Sequence, residues 1–188
     1  MRIISGKFKN KKLYFPKNFN TRPLRDIVRE NIFNIIEHSR KIKVKIKNSN
    51  ILDLYAGSGS FGLECLSRGA SEITFVENNS NTLLDLKKNI INLKIEKQSY
   101  IFSEDVFDFC KKKNKIKKKY SIVFLDPPYD DYKYNEILNL VKKNDILNLK
   151  HICVFHREKN SEKFFNNKIN IIENRIYGRS QIFFAELF

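Results

Sequence analysis

From Asn50 to His156 short apolar runs alternate with helical stretches, and this alternation narrows the possible folds more than any other feature of the chain. The runs are ILDLY (51–55), ITFVE (73–77), SYIFS (99–103), YSIVFLD (120–126) and HICVFH (151–156). Helical patterns begin near Ser60, Ser80, Glu104 and Tyr132 between them. Strands separated this way pair in parallel, because a parallel partner is reached only through a long crossover. The expectation is an α/β fold with a mostly parallel, doubly wound sheet. The last part breaks the pattern. KINIIENRIY, Gly178-Arg179 and SQIFFAELF read as an antiparallel hairpin that closes one edge of the sheet.

Ahead of this core, RIISGKF and KLYF read as two short strands joined by the polar turn KNKK. A hairpin alone is marginal, so it must pack on something. Thr21-Arg22-Pro23 starts a helix, with Pro23 suited to its first turn. Leu24, Ile27, Val28, Ile32, Ile35 and Ile36 recur at helical spacing as its buried stripe, and Arg22, Arg25 and Arg29 fall on another face. Arg40–Lys47 reads as a solvated connection. Residues 1–47 are thus expected to form a basic extension, and 48–188 the main α/β domain.

The charge supports that division. The chain carries a net +15, and residues 1–47 alone hold 14 Lys and Arg against 3 Asp and Glu. The other 141 residues hold 22 against 18. A compositional bias toward Lys, Asn, Ile and Phe scatters lysines evenly, whereas these are clustered. Clustered positive charge points to a polyanionic partner, nucleic acid first among them, and Arg22, Arg25 and Arg29 are the candidate substrate contacts.

Other chemistries find little footing. Cys65, Cys110 and Cys153 form no CxxC pair, and His38, His151 and His156 show no metal spacing; His156, at a strand end, reads as structural. No metal is expected. There is no signal-type apolar stretch after Met1 and no apolar run near about 18 residues. A cytoplasmic chain without a membrane contact is expected, with reduced cysteines acting as small buried residues.

The first strand ends in Asp53-Leu54-Tyr55-Ala56-Gly57-Ser58-Gly59-Ser60-Phe61-Gly62. Glycines there allow a tight turn and a close approach of a ligand to the backbone, so Asp53, Tyr55, Ala56, Gly57, Ser58 and Gly59 form a candidate nucleotide-cofactor loop. Such a loop does not choose between NAD and S-adenosylmethionine. Glu77 closes the second strand, 20 residues after Gly57, where a carboxylate can accept both ribose hydroxyls of an adenosine. Asn78 adjoins it. Asp105, with Val106 after it, follows the third strand, where an acid can accept from an adenine amino group or simply cap a helix.

Asp126-Pro127-Pro128-Tyr129 follows the strand YSIVFL directly. Two prolines stop the strand and fix an extended turn that presents the Pro127 carbonyl beside the Asp126 carboxylate. A nucleobase amino nitrogen is a poor nucleophile, because its lone pair is delocalised into the ring. Two acceptors on its N–H bonds favour a pyramidal nitrogen and offset the charge that develops during attack. The Tyr129 ring can stack on the extruded base.

This series resembles the motifs of class I methyltransferases acting on amino groups. The N-terminal RIISGKFKNKKL and TRPLRDIVRENIFNII, with the terminal RIYGRSQIFFAELF, resemble the bacterial RsmD-type family over nearly the whole chain. That resemblance implies a Rossmann-like class I methyltransferase fold: a seven-stranded, mostly parallel sheet in strand order 3-2-1-4-5-7-6 with an antiparallel C-terminal hairpin, plus the N-terminal β-hairpin and helix. It also implies S-adenosyl-L-methionine as cofactor and methylation of guanine N2 in 16S ribosomal RNA of the small ribosomal subunit, by a monomer. Leu24-Arg25 departs from the family pattern, which has Thr after the Arg-Pro pair. A DNA adenine-N6 or other RNA amino-group methyltransferase shares Asp-Pro-Pro-Tyr, and an NAD-dependent oxidoreductase shares the glycine loop.

Overall fold

A computed structural model describes residues 1–16, 26–112, 118–128, 133–159 and 169–187. Its elements run α1 (Asp26–His38), β1 (Asn50–Leu54), α2 (Ser60–Ser67), β2 (Glu72–Val76), α3 (Ser80–Leu93), β3 (Ser99–Phe102), α4 (Val106–Lys111), β4 (Tyr120–Leu125), α5 (Tyr134–Lys143), β5 (Leu147–Glu158), β6 (Ile169–Tyr177) and β7 (Ser180–Leu187). The strands form one seven-stranded sheet in the order β3-β2-β1-β4-β5-β7-β6. Strands β1 to β5 pair in parallel, and β7 lies antiparallel between β5 and β6. The expected sheet and closing hairpin are present. Pairing of β6 with β7 shifts register between Ile171 and Glu173.

Each central strand is apolar on both faces because helices cover both. Ile51, Ile122, Phe124, Ile152, Val154, Ile182 and Phe184 face the cluster beneath α1, α2 and α3. Leu52, Leu54, Val123, Leu125, Cys153, Phe155 and Phe183 face the opposite cluster, beneath α4 and α5. The split follows the two-residue period of a strand. On the first face Phe33, Phe61 and Phe124 stack in series, with ring centroids 5.2 and 4.0 Å apart. Among the described residues no helix is long and apolar enough to cross a membrane.

The N-terminal segment packs into the first of these clusters through Ile3 and Leu13. Its antiparallel pairing is shorter than two strands: one bridge joins Arg2 to Lys12, flanked by bonds from Ile3 N to Lys11 O (3.0 Å) and Leu13 N to Met1 O (3.1 Å). Residues 4–8 of its backbone turn to α2 instead. Glu64, fully buried, accepts from the Ile4 and Ser5 amides at 2.7 and 2.9 Å and from Arg68 Nε at 2.9 Å. Lys7 N donates to the Ser67 carbonyl at 2.7 Å.

Two expectations here need correction. On α1 the buried face is Val28, Arg29, Ile32, Phe33 and Ile36, while Ile27 is 64% exposed. Positions 28, 32 and 36 lie one helical turn apart, and 29 and 33 run beside them, so Arg29 shares the stripe of Phe33. The Arg40–Lys47 tract is not a solvated connection throughout: Ile42, Val44 and Ile46 are buried, and Lys41, Lys43, Lys45 and Lys47 face outward between them. The start of the expected helix at Thr21-Arg22-Pro23, with Leu24, lies outside the described residues.

Candidate active site

The glycine loop begins where β1 ends. Tyr55 sits at φ 62°, Gly57 at 55° and Gly59 at 84°, so the chain turns left-handed three times within five residues. Gly57 has nothing within 4 Å of the place a Cβ would occupy, which leaves its outer side open. Gly62 differs: a Cβ there would meet Phe75 Cε1 at 2.4 Å, so the missing side chain lets α2 lie close on β2.

Two carboxylates shape this loop, and a third caps α4 after β3. Asp53 is 1% exposed, and its Oδ2 accepts from the Gly62 amide at 3.0 Å. Burial pushes its carboxyl well above the ordinary range; the Gly62 N–H opposes this, and the charges of Asp126 and Glu77 add to it. Glu77 accepts from Gly57 N with Oε2 and from Asn79 N with Oε1, both at 2.7 Å. It thus ties the ends of β1 and β2 together at the loop. Asn78, beside it, is exposed. Asp105 caps α4, its Oδ1 accepting from Phe107 N at 2.8 Å, and Val106 is buried beneath. The cap reading of Asp105 is thus present, and a capping carboxylate keeps further acceptor capacity.

Asp126 stands at the end of β4, its side chain 24% exposed. Because β1 and β4 are neighbours in the sheet, this places Asp126 beside the glycine loop. The Leu54 to Leu125 register puts the two strand ends level. All these positions lie at the carboxyl ends of adjacent strands, around the point where strand order reverses between β1 and β4. Open α/β sheets bind ligands there. Pro127 is buried and Pro128 exposed. Tyr129, Arg22 and Arg25 lie outside the described residues.

The structure corrects Arg29 as an RNA contact. Its side chain is fully buried and donates to the Arg2 carbonyl and, at 3.0 Å, to Asp26 Oδ1. Burial lowers its pKa, while Asp26 and Glu64 pull it back. It pins the N-terminal segment to α1 and presents nothing to a phosphate.

Two residues at the site escaped the sequence reading. His156 Nδ1 lies 2.7 Å from Asp126 Oδ1, and Arg157 Nη1 donates to the Pro128 carbonyl at 3.1 Å. The signal was present: VFLDPP and CVFHRE align at their carboxyl ends once β4 and β5 are taken as parallel neighbours.

A doubly wound sheet in this strand order, with a glycine loop after β1, an acid ending β2 and Asp-Pro-Pro after β4, defines the class I methyltransferase arrangement. Within that class, the chain belongs to the RsmD-type methyltransferase family. The family model described as "Conserved hypothetical protein 95" matches residues 1–186. Ribosomal RNA small subunit methyltransferase D of Buchnera aphidicola subsp. Baizongia pistaciae is 33% identical over 172 residues, 92% of this chain and 83% of that one. Its counterpart in Buchnera aphidicola subsp. Acyrthosiphon pisum is 31% identical over 181 residues, covering 96% and 90%. The solved structure of yhhF from Escherichia coli, described as a candidate methyltransferase, superposes with a TM-score of 0.84 at 27% identity, covering 100% of this chain and 97% of that one.

Proposed function

We propose that this chain methylates the exocyclic N2 amino group of a guanine in 16S ribosomal RNA of the small ribosomal subunit, with S-adenosyl-L-methionine as methyl donor. Asp126 carries the reading: a carboxylate at the end of β4, partly exposed and level with the glycine loop of β1. The names of the relatives favour ribosomal RNA over DNA and favour the small subunit.

The residues fit the donor. The open side of Gly57 admits a ligand against the backbone. Glu77, held by two amides, keeps lone pairs for the ribose hydroxyls, and Asp105 keeps acceptor capacity for the adenine amino group. When bound, S-adenosylmethionine supplies an electrophilic methyl on a positively charged sulfur and leaves as the neutral thioether.

The chain's own groups then act on the base. Asp126 accepts one N2–H and Pro127 O the other, which localises the nitrogen lone pair toward the methyl. Tyr129 stacks on the flipped guanine. Arg22, Arg25 and the outward lysines of residues 41–47 hold the phosphate backbone, and the protein works as a cytoplasmic monomer without a metal ion.

Nucleoside mass spectrometry of small-subunit RNA, from cells with and without the gene, tests this. The expected result is loss of one N2-methylguanosine in the absence of the gene. Loss of N6-methyladenosine from DNA instead, or no change in any nucleoside, overturns it.

A further inference from the structure

The turn after β4 is held by β5. Parallel pairing of the two strands sets Leu125 against Phe155, and one step further Asp126 comes opposite His156 on the same face of the sheet. There the ring nitrogen Nδ1 and the carboxylate oxygen Oδ1 are 2.7 Å apart. A carboxylate oxygen accepts, so the ring donates from Nδ1. The ring is buried, while the Asp126 side chain reaches the site. The next residue, Arg157, is also buried and grips the Pro128 carbonyl, with its guanidinium 4.7 Å above the Tyr134 ring.

We propose that His156 is a positioning residue for amino-group methylation: its Nδ1–H fixes the rotamer of Asp126, so that Oδ2 alone is presented to the incoming N–H. The inference rests on the function proposed above. An unheld Asp at a strand end exchanges between staggered rotamers, and its acceptor oxygen is then spread over several positions. An acceptor that stabilises developing charge contributes most when it is fixed beforehand. His156 itself touches neither substrate nor methyl donor and moves no atom of the reaction. A plain packing role for the ring does not require its nitrogen to face the Asp126 carboxylate.

Two substitutions separate positioning from packing. His156→Phe keeps a ring of similar size and removes the donor, while Arg157 still holds the turn at Pro128. His156→Asn offers a side-chain N–H near the place of Nδ1. In single-turnover methylation of small-subunit RNA, His156→Phe should slow transfer about tenfold to a hundredfold. Cofactor affinity by calorimetry should stay within about twofold of wild type. His156→Asn should recover most of the rate. Wild-type turnover in His156→Phe, no recovery in His156→Asn, or a fall in cofactor affinity that matches the fall in rate overturns the proposal.

A measurement without RNA keeps this apart from the function itself. In the 15N spectrum of histidine-labelled protein, Asp126→Ala should move the Nδ1 resonance of His156. An unmoved resonance overturns the pairing whatever the substrate is. A wild-type protein that methylates no RNA fails the proposed function, and the nitrogen spectrum then decides the pairing alone.

Discussion

Asn89 clasps Tyr14 at two points: its Oδ1 accepts from the Tyr14 amide at 2.7 Å, and its Nδ2 donates to the Tyr14 carbonyl at 3.0 Å. The same Nδ2 reaches the Ser58 carbonyl, also at 3.0 Å. One buried amide on α3 therefore joins the basic N-terminal segment to the glycine loop. Asn89→Ala strands these groups and should lower unfolding stability by about 1–3 kcal/mol. Asn89→Asp keeps the acceptor but loses both donated bonds and sets a buried carboxylate against two carbonyl oxygens, so at about pH 7 it should be no more stable than Asn89→Ala. Urea unfolding of the three proteins measures this, and equal midpoints would remove the clasp from any account of stability.

Asp53 gives a pH prediction with a definite sign. Burial holds its folded-state pKa well above the ordinary carboxyl range. A raised carboxyl pKa means that the folded state resists ionisation. Stability from this group is full below the unfolded pKa and is lost as pH rises through the folded one. Asp53→Asn keeps an oxygen for the Gly62 amide and carries no charge. It should be more stable than wild type at pH 8, with little difference at pH 4. Denaturant unfolding at the two pH values decides the matter, and a variant less stable at pH 8 contradicts it.

Arg29 and Arg25 should part company in salt titrations. Arg29 is sealed beneath the N-terminal segment, so Arg29→Ala should lower the melting temperature and leave the slope of log affinity against log salt unchanged. Arg25→Ala should reduce that slope by about 1, as expected for one lost phosphate contact. Filter binding of small-subunit RNA at several salt concentrations reads both. A reduced slope in Arg29→Ala alone would reverse their roles.

Glu77→Ala should weaken S-adenosylmethionine binding through loss of two ribose hydrogen bonds, each about 1.5–3 kcal/mol to a charged acceptor. Calorimetry is the measurement. Tight binding of NAD, with none of S-adenosylmethionine, would end the methyl-transfer reading.

Asp126→Ala should reduce turnover about 10²–10³-fold with cofactor affinity nearly unchanged, because its acceptor matters most as charge develops. Asp126→Asn keeps an oxygen and discards the charge. Retained activity there would make hydrogen-bond positioning sufficient, and lost activity would require the charge. Tyr129→Phe should be mild and Tyr129→Ala severe, since stacking uses the ring. Full turnover in both alanine variants would mean that the active site lies elsewhere.

The parts of the molecule visible in the sequence are those set by local pattern. Runs such as ILDLY and YSIVFL are apolar on both faces, Asp53 and Ser121 apart, because helices cover both faces of the sheet. The glycine loop and Asp-Pro-Pro announce themselves through backbone chemistry. What stayed hidden depends on partners distant in sequence. Arg29 looks like a surface cation until the Arg2 carbonyl, 27 residues away, arrives to receive it. His156 looks structural until β5 settles beside β4 and brings Asp126, 30 residues earlier, within 2.7 Å. Ile42, Val44 and Ile46 alternate with lysines as a half-buried extended chain does, but the density of charge masked that period.

The register shift between Ile171 and Glu173 falls on β6, which borders the sheet on one side. An outermost strand offers a row of unpaired amides and carbonyls, and a straight row can template a strand from another molecule. The bulge bends that row, and Glu173, flanked by Arg175 and Lys41, sets charge along it. In a chain this rich in Ile and Phe, a border broken in this way is a poorer template for a further strand than a flat one.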